Sequence, residues 1–269
     1  MEREASGRRA KARSIWRYSE QEGWQAVEDL LVDEFAATIH LNGQELVTLL
    51  CTPEYLEDLA VGFLAGEGLL PGPADLEAVS ADYRQGQVWV SGRVRPPAED
   101  KSFMKRYLTT GCGKGTTFFN REQAAPLKQS LRIGPGEIEG LMRCFQERSE
   151  LFRQTGGVHS VALCRGREII LYREDLGRHN ALDKVIGHAW RQGIDLGGCF
   201  LVTSGRVSSE MLLKTVRVGI QLLISRAAAT SLAVELAEQL GATVVGFARG
   251  GRFNVYCHPG RIAGFWPGG

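Results

Sequence analysis

The sequence predicts an α/β protein, with a layered core in the second half of the chain and a smaller α+β unit before it. Two observations carry this. After about residue 126, short apolar runs of strand length alternate with segments of helical period, as in a sheet covered by helices. Before that, alternating strands surround one helix without the same regular succession. The resulting division is a basic tail over 1–18, an α+β subdomain over 19–125, and the α/β domain over 126–269.

The tail is read from MEREASGRRAKARSIWRY, with six Lys or Arg against two Glu and no apolar stretch of the kind a secretory signal needs. Residues 28–50 alternate around Asn42-Gly43, a strong hairpin-turn signal. TPEYLEDLAVGFLAGEG then reads as a helix capped by Thr52, with Pro53 at its first position and Glu54, Glu57 and Asp58 at its positive end. QVWVSGRV follows as a strand, and REQAAPLKQS as the connector between the two units.

In the second unit PGEIEGLMRCFQERSELFRQTGG reads as one helix, HSVALCR and REIILYR as a hairpin over Gly166, and NALDKVIGHAWRQG as an amphipathic helix. CFLVTSG is a short apolar run suited to a central strand. SSEMLLKTVRVGIQLLIS and SLAVELAEQLG read as helices, and TVVGFAR and FNVYC as strands.

The totals narrow the function. The 269 residues are 43% hydrophobic and 23% charged, with a net charge of +1, which disfavours a generic nucleic-acid or membrane surface. No run of eighteen apolar residues occurs, and hence no membrane-spanning helix is expected. The six cysteines are scattered and form no C-x-x-C pair, unlike a disulfide framework or a structural zinc site. A cytoplasmic protein with reduced thiols is expected.

Polar residues gather at the joints between elements, where α/β proteins place their sites. REDLGRHNALDK packs Asp175, Arg178, His179, Asn180, Asp183 and Lys184 around one strand-to-helix joint; a capped helix start with solvated charges is the alternative. TSGRVSSE delivers Ser204, Gly205 and Arg206 to a helix start, where free N–H groups, hydroxyls and a guanidinium suit an anion, although Ser N-capping alone would also explain it. GFARGGRFNVY places Gly250-Gly251 between Arg249 and Arg252; a hairpin turn explains the glycines but not the paired arginines.

LTTGCGKGTT sets Cys112 between glycines, with Lys105, Arg106 and Lys114 near in sequence. Positive charge and open amides favour a thiolate. With no adjacent histidine to act as base, sulfur exchange or redox chemistry is favoured over acyl transfer.

Taken together, TPEYLEDLAVGFLAGEG, TGGVHSVAL, EDLGRHNALDKVIG, SGRVSSEMLLKTVRVGI and GFARGGRFNVYCHP resemble, in order, the blocks of the FdhD family of formate dehydrogenase accessory sulfurtransferases. The resemblance implies a cytidine-deaminase-like α/β core with an added N-terminal subdomain, and a homodimer. It implies a carrier that takes persulfide sulfur from a cysteine desulfurase and delivers it to the bis(molybdopterin guanine dinucleotide) cofactor of formate dehydrogenase. The persulfide cysteine falls on Cys112, and the cofactor-binding loop on Phe247, Ala248, Arg249, Gly250, Gly251 and Arg252. Asp175, Arg178, His179, Ser204 and Arg206 are the further expected pocket residues, and a guanine nucleotide is the expected surrogate ligand.

Many members carry C-x-x-C in the cysteine loop, whereas this chain has Gly115 at the second position. An internal disulfide there is excluded and a one-cysteine carrier is left. Zinc deaminase chemistry needs H-x-E and P-C-x-x-C, and neither occurs. The rival from another class is a cofactor-binding chaperone that handles no sulfur, and a third is an assembly scaffold. Cys257, close to the arginine-flanked turn, is the other cysteine considered as a carrier.

Overall fold

A computed structural model describes residues 9–94, 107–108, 116–117 and 131–266. Cys112 and the expected boundary at 125/126 lie outside them.

The chain opens with a two-stranded ribbon, β1 (Ala10–Ser19) against β2 (Gly23–Val32). The expected basic tail is therefore a strand from Ala10 onwards. Its charged residues are interspersed with Ala12, Ile15 and Trp16, and the turn at 20–22 lets it pair back along its full length. A four-stranded sheet follows, in the order β4-β3-β6-β5, from β3 (Phe35–Leu41), β4 (Gln44–Cys51), β5 (Leu76–Asp82) and β6 (Gln87–Gly92). The hairpin over Asn42-Gly43 forms as expected, with φ 50° and 82° at its two turn residues.

Helix α1 (Leu56–Gly66) covers this sheet, packing Leu56, Leu59, Phe63 and Leu64 against Ile39, Val88 and Val90. It starts three residues later than the Thr52-Pro53 cap predicts. Thr52 is buried and committed to Asp175, and Tyr55 takes the N-cap position with φ 55°. Two dipeptide strands, β7 (Tyr107–Leu108) and β8 (Thr116–Thr117), pair antiparallel.

The second unit is a six-stranded sheet in the order β10-β9-β11-β12-β13-β14. Its strands are β9 (His159–Arg165), β10 (Glu168–Asp175), β11 (Cys199–Thr203), β12 (Leu222–Ser225), β13 (Thr243–Arg249) and β14 (Arg252–Val255). The central β11, β12 and β13 run parallel, and β9, β10 and β14 complete the sheet antiparallel. Helices α4 (Arg178–Arg191), α5 (Ser209–Arg217) and α6 (Ser231–Leu240) cover one face, and α2 (Pro135–Glu147) the other. This is the layered α/β core with an added N-terminal α+β subdomain that the sequence and the resemblance predicted.

Two elements of this second unit differ from expectation. The single helix expected over 135–157 breaks at Arg148-Ser149, where Ser149 is buried and its hydroxyl meets that of Tyr172 at 2.8 Å; α3 (Glu150–Thr155) then starts separately. The helix expected over 208–225 ends at Arg217. Gly219 takes φ 85°, and the apolar tail LLIS becomes the central strand β12. An apolar run of that length is ambiguous in period, and burial on both faces makes it a strand.

The two units meet where α1 crosses α4, with Gly62 against Gly187. A Cβ on Gly62 would overlap the Asp183 carbonyl and lie 2.8 Å from the Gly187 nitrogen. Around the crossing, Lys214 Nζ donates to both Asp183 oxygens at 2.8 Å and lies 3.1 Å from Glu67. Asp58 holds Arg191, His188 and Arg173. Among the described residues no helix is long and apolar enough to cross a membrane.

Candidate functional site

The parallel strands β11, β12 and β13 end at one edge of the sheet, with Thr203 beside Ser225 and Ile224 beside Val245. Because β9 runs antiparallel to β11, its first residues lie at the same edge; Thr203 faces Val161, and His159 faces Asp175 at the end of β10. Open α/β sheets bind ligands in the crevice beyond the carboxyl ends of parallel strands. The topology thus brings Asp175, Arg178, His179, Ser204 and Arg206 to one edge. The loops there are laced sideways, Ser204 N–H to Ser160 O, Val207 N–H to Ala228 O and Phe247 N–H to Ala227 O, each at 3.0 Å.

That lacing corrects the reading of TSGRVSSE as a cradle of free amides. The N–H groups of Ser204 and Val207 are spent on β9 and on the loop after β12, and that of Gly205 donates to Thr203 Oγ1 at 3.1 Å. The Ser204 hydroxyl accepts from Ser160 N–H at 2.9 Å, and Ser208 caps α5 at Met211.

Asp175 is likewise no pocket residue. Its side chain is fully buried, with Oδ2 accepting from Lys184 Nζ, Thr52 N–H and Thr52 Oγ1, and Oδ1 from Gly177 N–H and Asn180. Asp183 and Lys184 are buried too, so the charges at this joint are paired inside the protein instead of solvated.

What the edge does present is positive charge. Arg206 follows β11, Arg226 follows β12 and Arg249 ends β13, all three exposed. Arg178 packs under Gly205, whose Cβ would lie 2.9 Å from the Arg178 Cβ, so only glycine lets this loop settle there. Arg226 escapes the sequence reading because its strand reads as helix.

His179 lies 3.4 Å from Ser208 Oγ and 3.3 Å from Glu210. Glu210 favours an imidazolium, but burial and the charges of Arg178 and Lys214 oppose it more strongly, holding the ring neutral with a pKa pushed down to about 2. The unfolded ring, near 6.5, therefore binds a proton that the folded one refuses. Folding stability is expected to be full above pH 6.5 and to fall as pH drops below it, with a slope of about 1.4 kcal/mol per pH unit from this one residue. Urea denaturation between pH 7 and pH 5 checks this, and His179→Gln should flatten the profile.

The turn at 247–252 forms the rim of a separate cleft. β13 bulges between Gly246 and Arg249, with Phe247 at φ 53°, and Gly250 and Gly251 turn the chain at φ 60° and 72°. Arg249 and Arg252 sit directly opposite each other in the hairpin. Together with Glu139, Met142, Arg143 and Gln146 of α2 the turn lines a cleft of about 250 Å³.

Of the described cysteines, Cys51, Cys164, Cys199 and Cys257 are buried and Cys144 is exposed. Burial pushes the Cys51 and Cys164 thiols up to about 12, and those of Cys199 and Cys257 upward as well. None of these four is a nucleophile at neutral pH. Among the described residues no group of His, Cys, Asp and Glu is arranged to hold a metal ion.

A family model described as the FdhD/NarQ family matches residues 32–263. The chain belongs to this family. The FdhD/NarQ match spans both structural units, including the glycine crossing and the arginine edge. The chain is 43% identical over 254 residues to a protein named sulfur carrier protein FdhD from Bacillus subtilis (strain 168), covering 93% of this chain and 96% of that one. It is 45% identical over 238 residues to the protein of the same name from Listeria monocytogenes serotype 4b (strain F2365), covering 87% and 91%. A crystal structure described as that of a formate dehydrogenase accessory protein from Desulfotalea psychrophila superposes with a TM-score of 0.81 at 28% identity, covering 94% of this chain and 99% of that one.

Proposed function

We propose that this FdhD/NarQ chain is a cytoplasmic sulfur carrier serving formate dehydrogenase, with Cys112 as the carrying residue. The observation that carries the reading is the disposition of the cysteines. Four are buried with their thiols held protonated, which leaves Cys112, on which the family's persulfide cysteine falls, and Cys144 on α2.

In the first step the Cys112 thiolate attacks the outer sulfur of a persulfide on a cysteine desulfurase. The S–S bond breaks, the desulfurase cysteine leaves as thiolate, and Cys112 holds the persulfide. Delivery of that sulfur as sulfide consumes two electrons, supplied by a thiol reductant. The acceptor is Mo-bis(molybdopterin guanine dinucleotide), held as cargo before insertion into the enzyme. Arg178, Arg206, Arg226 and Arg249 suit its pyrophosphates, which need cations more than amides. A homodimer would present two such edges to a cofactor with two nucleotide arms.

Intact mass after incubation with a cysteine desulfurase and cysteine tests this. One reductant-labile sulfur is expected on the parent and on Cys144→Ala, and none on Cys112→Ala. The same gain on Cys112→Ala would move the carrying role to another cysteine, and none on the parent would leave the cofactor-binding chaperone as the better reading.

A further inference from the structure

The cleft between α2 and the Gly250-Gly251 turn has a composition that a solvated surface does not explain. Arg249 and Arg252 are direct cross-strand partners, and like charges placed opposite each other in an antiparallel pair are destabilising. Arg249 is 5.9 Å from the Phe247 ring, a contact that does not neutralise it. Arg143 lines the same cleft from the facing helix, so arginines stand on both walls. The described residues show no ion pair for any of the three.

The apolar floor is Ile138, Met142 and Phe253. The carboxylate in the cleft belongs to Glu139, whose Oε1 would lie 4.0 Å from a Cβ on Gly251. A Cβ on Gly250 would meet nothing within 4 Å, so the turn's backbone does not crowd that carboxylate.

A ligand that matches this wall needs an anionic end for the guanidinium groups, a flat apolar body for the floor, and adjacent N–H donors for the carboxylate. Phosphate recognition by arginine forks supplies the first. A guanine base supplies the other two, because its N1–H and exocyclic amine stand side by side and can both donate to one carboxylate. Adenine presents a ring nitrogen acceptor at the corresponding position, and a carboxylate would leave it unsatisfied while repelling it. Discrimination by a missing donor is the strong kind, because the polar group of the site is left unpaired.

We propose that α2 is the specificity wall of the nucleotide site: Glu139 reads the guanine edge, and Arg143 closes on the phosphates opposite Arg249 and Arg252. This rests on the reading of the chain as a carrier that binds a guanine dinucleotide cofactor. It adds to that reading which helix recognises the base, and for this nucleotide it moves the phosphates from the Arg206 edge to the α2 face, with Arg249 common to both.

The experiment is calorimetric titration of the full chain with GDP, ADP and inorganic pyrophosphate. GDP is expected to bind at least tenfold tighter than ADP. Glu139→Gln should weaken GDP about tenfold, leave pyrophosphate unchanged and remove most of the preference over ADP. Arg143→Gln should weaken GDP and pyrophosphate alike. Both positions are exposed on α2, and unchanged thermal midpoints would exclude misfolding as the cause. GDP binding intact in both variants but lost in Arg206→Gln would place the nucleotide at the strand edge and overturn the assignment to α2, with the carrier reading standing. No binding of GDP by the parent would instead overturn the nucleotide-binding reading itself, and this inference with it.

Discussion

Gly62→Ala is expected to destabilise the chain by at least about 4 kcal/mol, the exceptional end of single substitutions. The added methyl would occupy the position of the Asp183 carbonyl, and the Gly187 nitrogen at 2.8 Å is backbone as well, so no side chain can turn aside. Both helices would have to move apart. That motion would strain the Lys214 bonds to Asp183 and the Asp58 bonds to His188 and Arg191. Gly187→Ala should behave alike, since its Cβ would overlap the Asp58 carbonyl. The control is Gly140→Ala on α2, where nothing lies within 4 Å of the new methyl; a helix gains up to about 1 kcal/mol from that exchange. Urea unfolding of the three variants decides. A cost below about 1.5 kcal/mol at Gly62 would show that the crossing is not in backbone contact.

The second large effect is expected at the buried Lys184–Asp175 pair. Both side chains are fully buried, and Lys184 Nζ also donates to Thr52 O at 3.1 Å and Thr52 Oγ1 at 2.7 Å. Removing the carboxylate with Asp175→Ala leaves an ammonium without its counter-charge in the interior, at a cost of about 3–5 kcal/mol. Lys184→Met should cost a similar amount, by stranding the carboxylate. The double variant is expected to be less damaging than the sum by about 1–3 kcal/mol, because neither charge is then left alone. Single costs under about 1 kcal/mol that simply add would show the pair to be solvated.

Asp175 also shows how far the sequence could be read. Its joint between strand and helix was legible, and so was its concentration of charge. What sequence spacing could not show is that Thr52, 123 residues earlier, supplies two of the donors that make the carboxylate a structural residue. The alternation of strand and helix in the second unit gave the layered core correctly. It failed at LLIS, where three apolar residues and a serine are too short a run to carry a period, and that failure hid Arg226. The edge was otherwise recognisable from the polar residues that follow its strands. The amides there looked available because their partners, Ser160 on β9 and Ala228 in the loop after β12, are remote in sequence. Arg143 and Glu139 gave no signal at all, since exposed charges on an amphipathic helix are the ordinary case.

The glycine crossing of α1 and α4 has a consequence for how such a chain can be altered by exchange of parts. Helix α1 is almost wholly buried, between its own sheet on one side and α4 and α5 on the other. An N-terminal half taken from another protein would need a glycine at 62 to seat the crossing. It would also need carboxylates at 58 and 67 for the cations of the other half, and a threonine at 52 for the Lys184–Asp175 pair. The boundary between the units is visible in the topology, but the residues on its two sides are mutual prerequisites. The unit that can be inherited or transplanted is the whole pair.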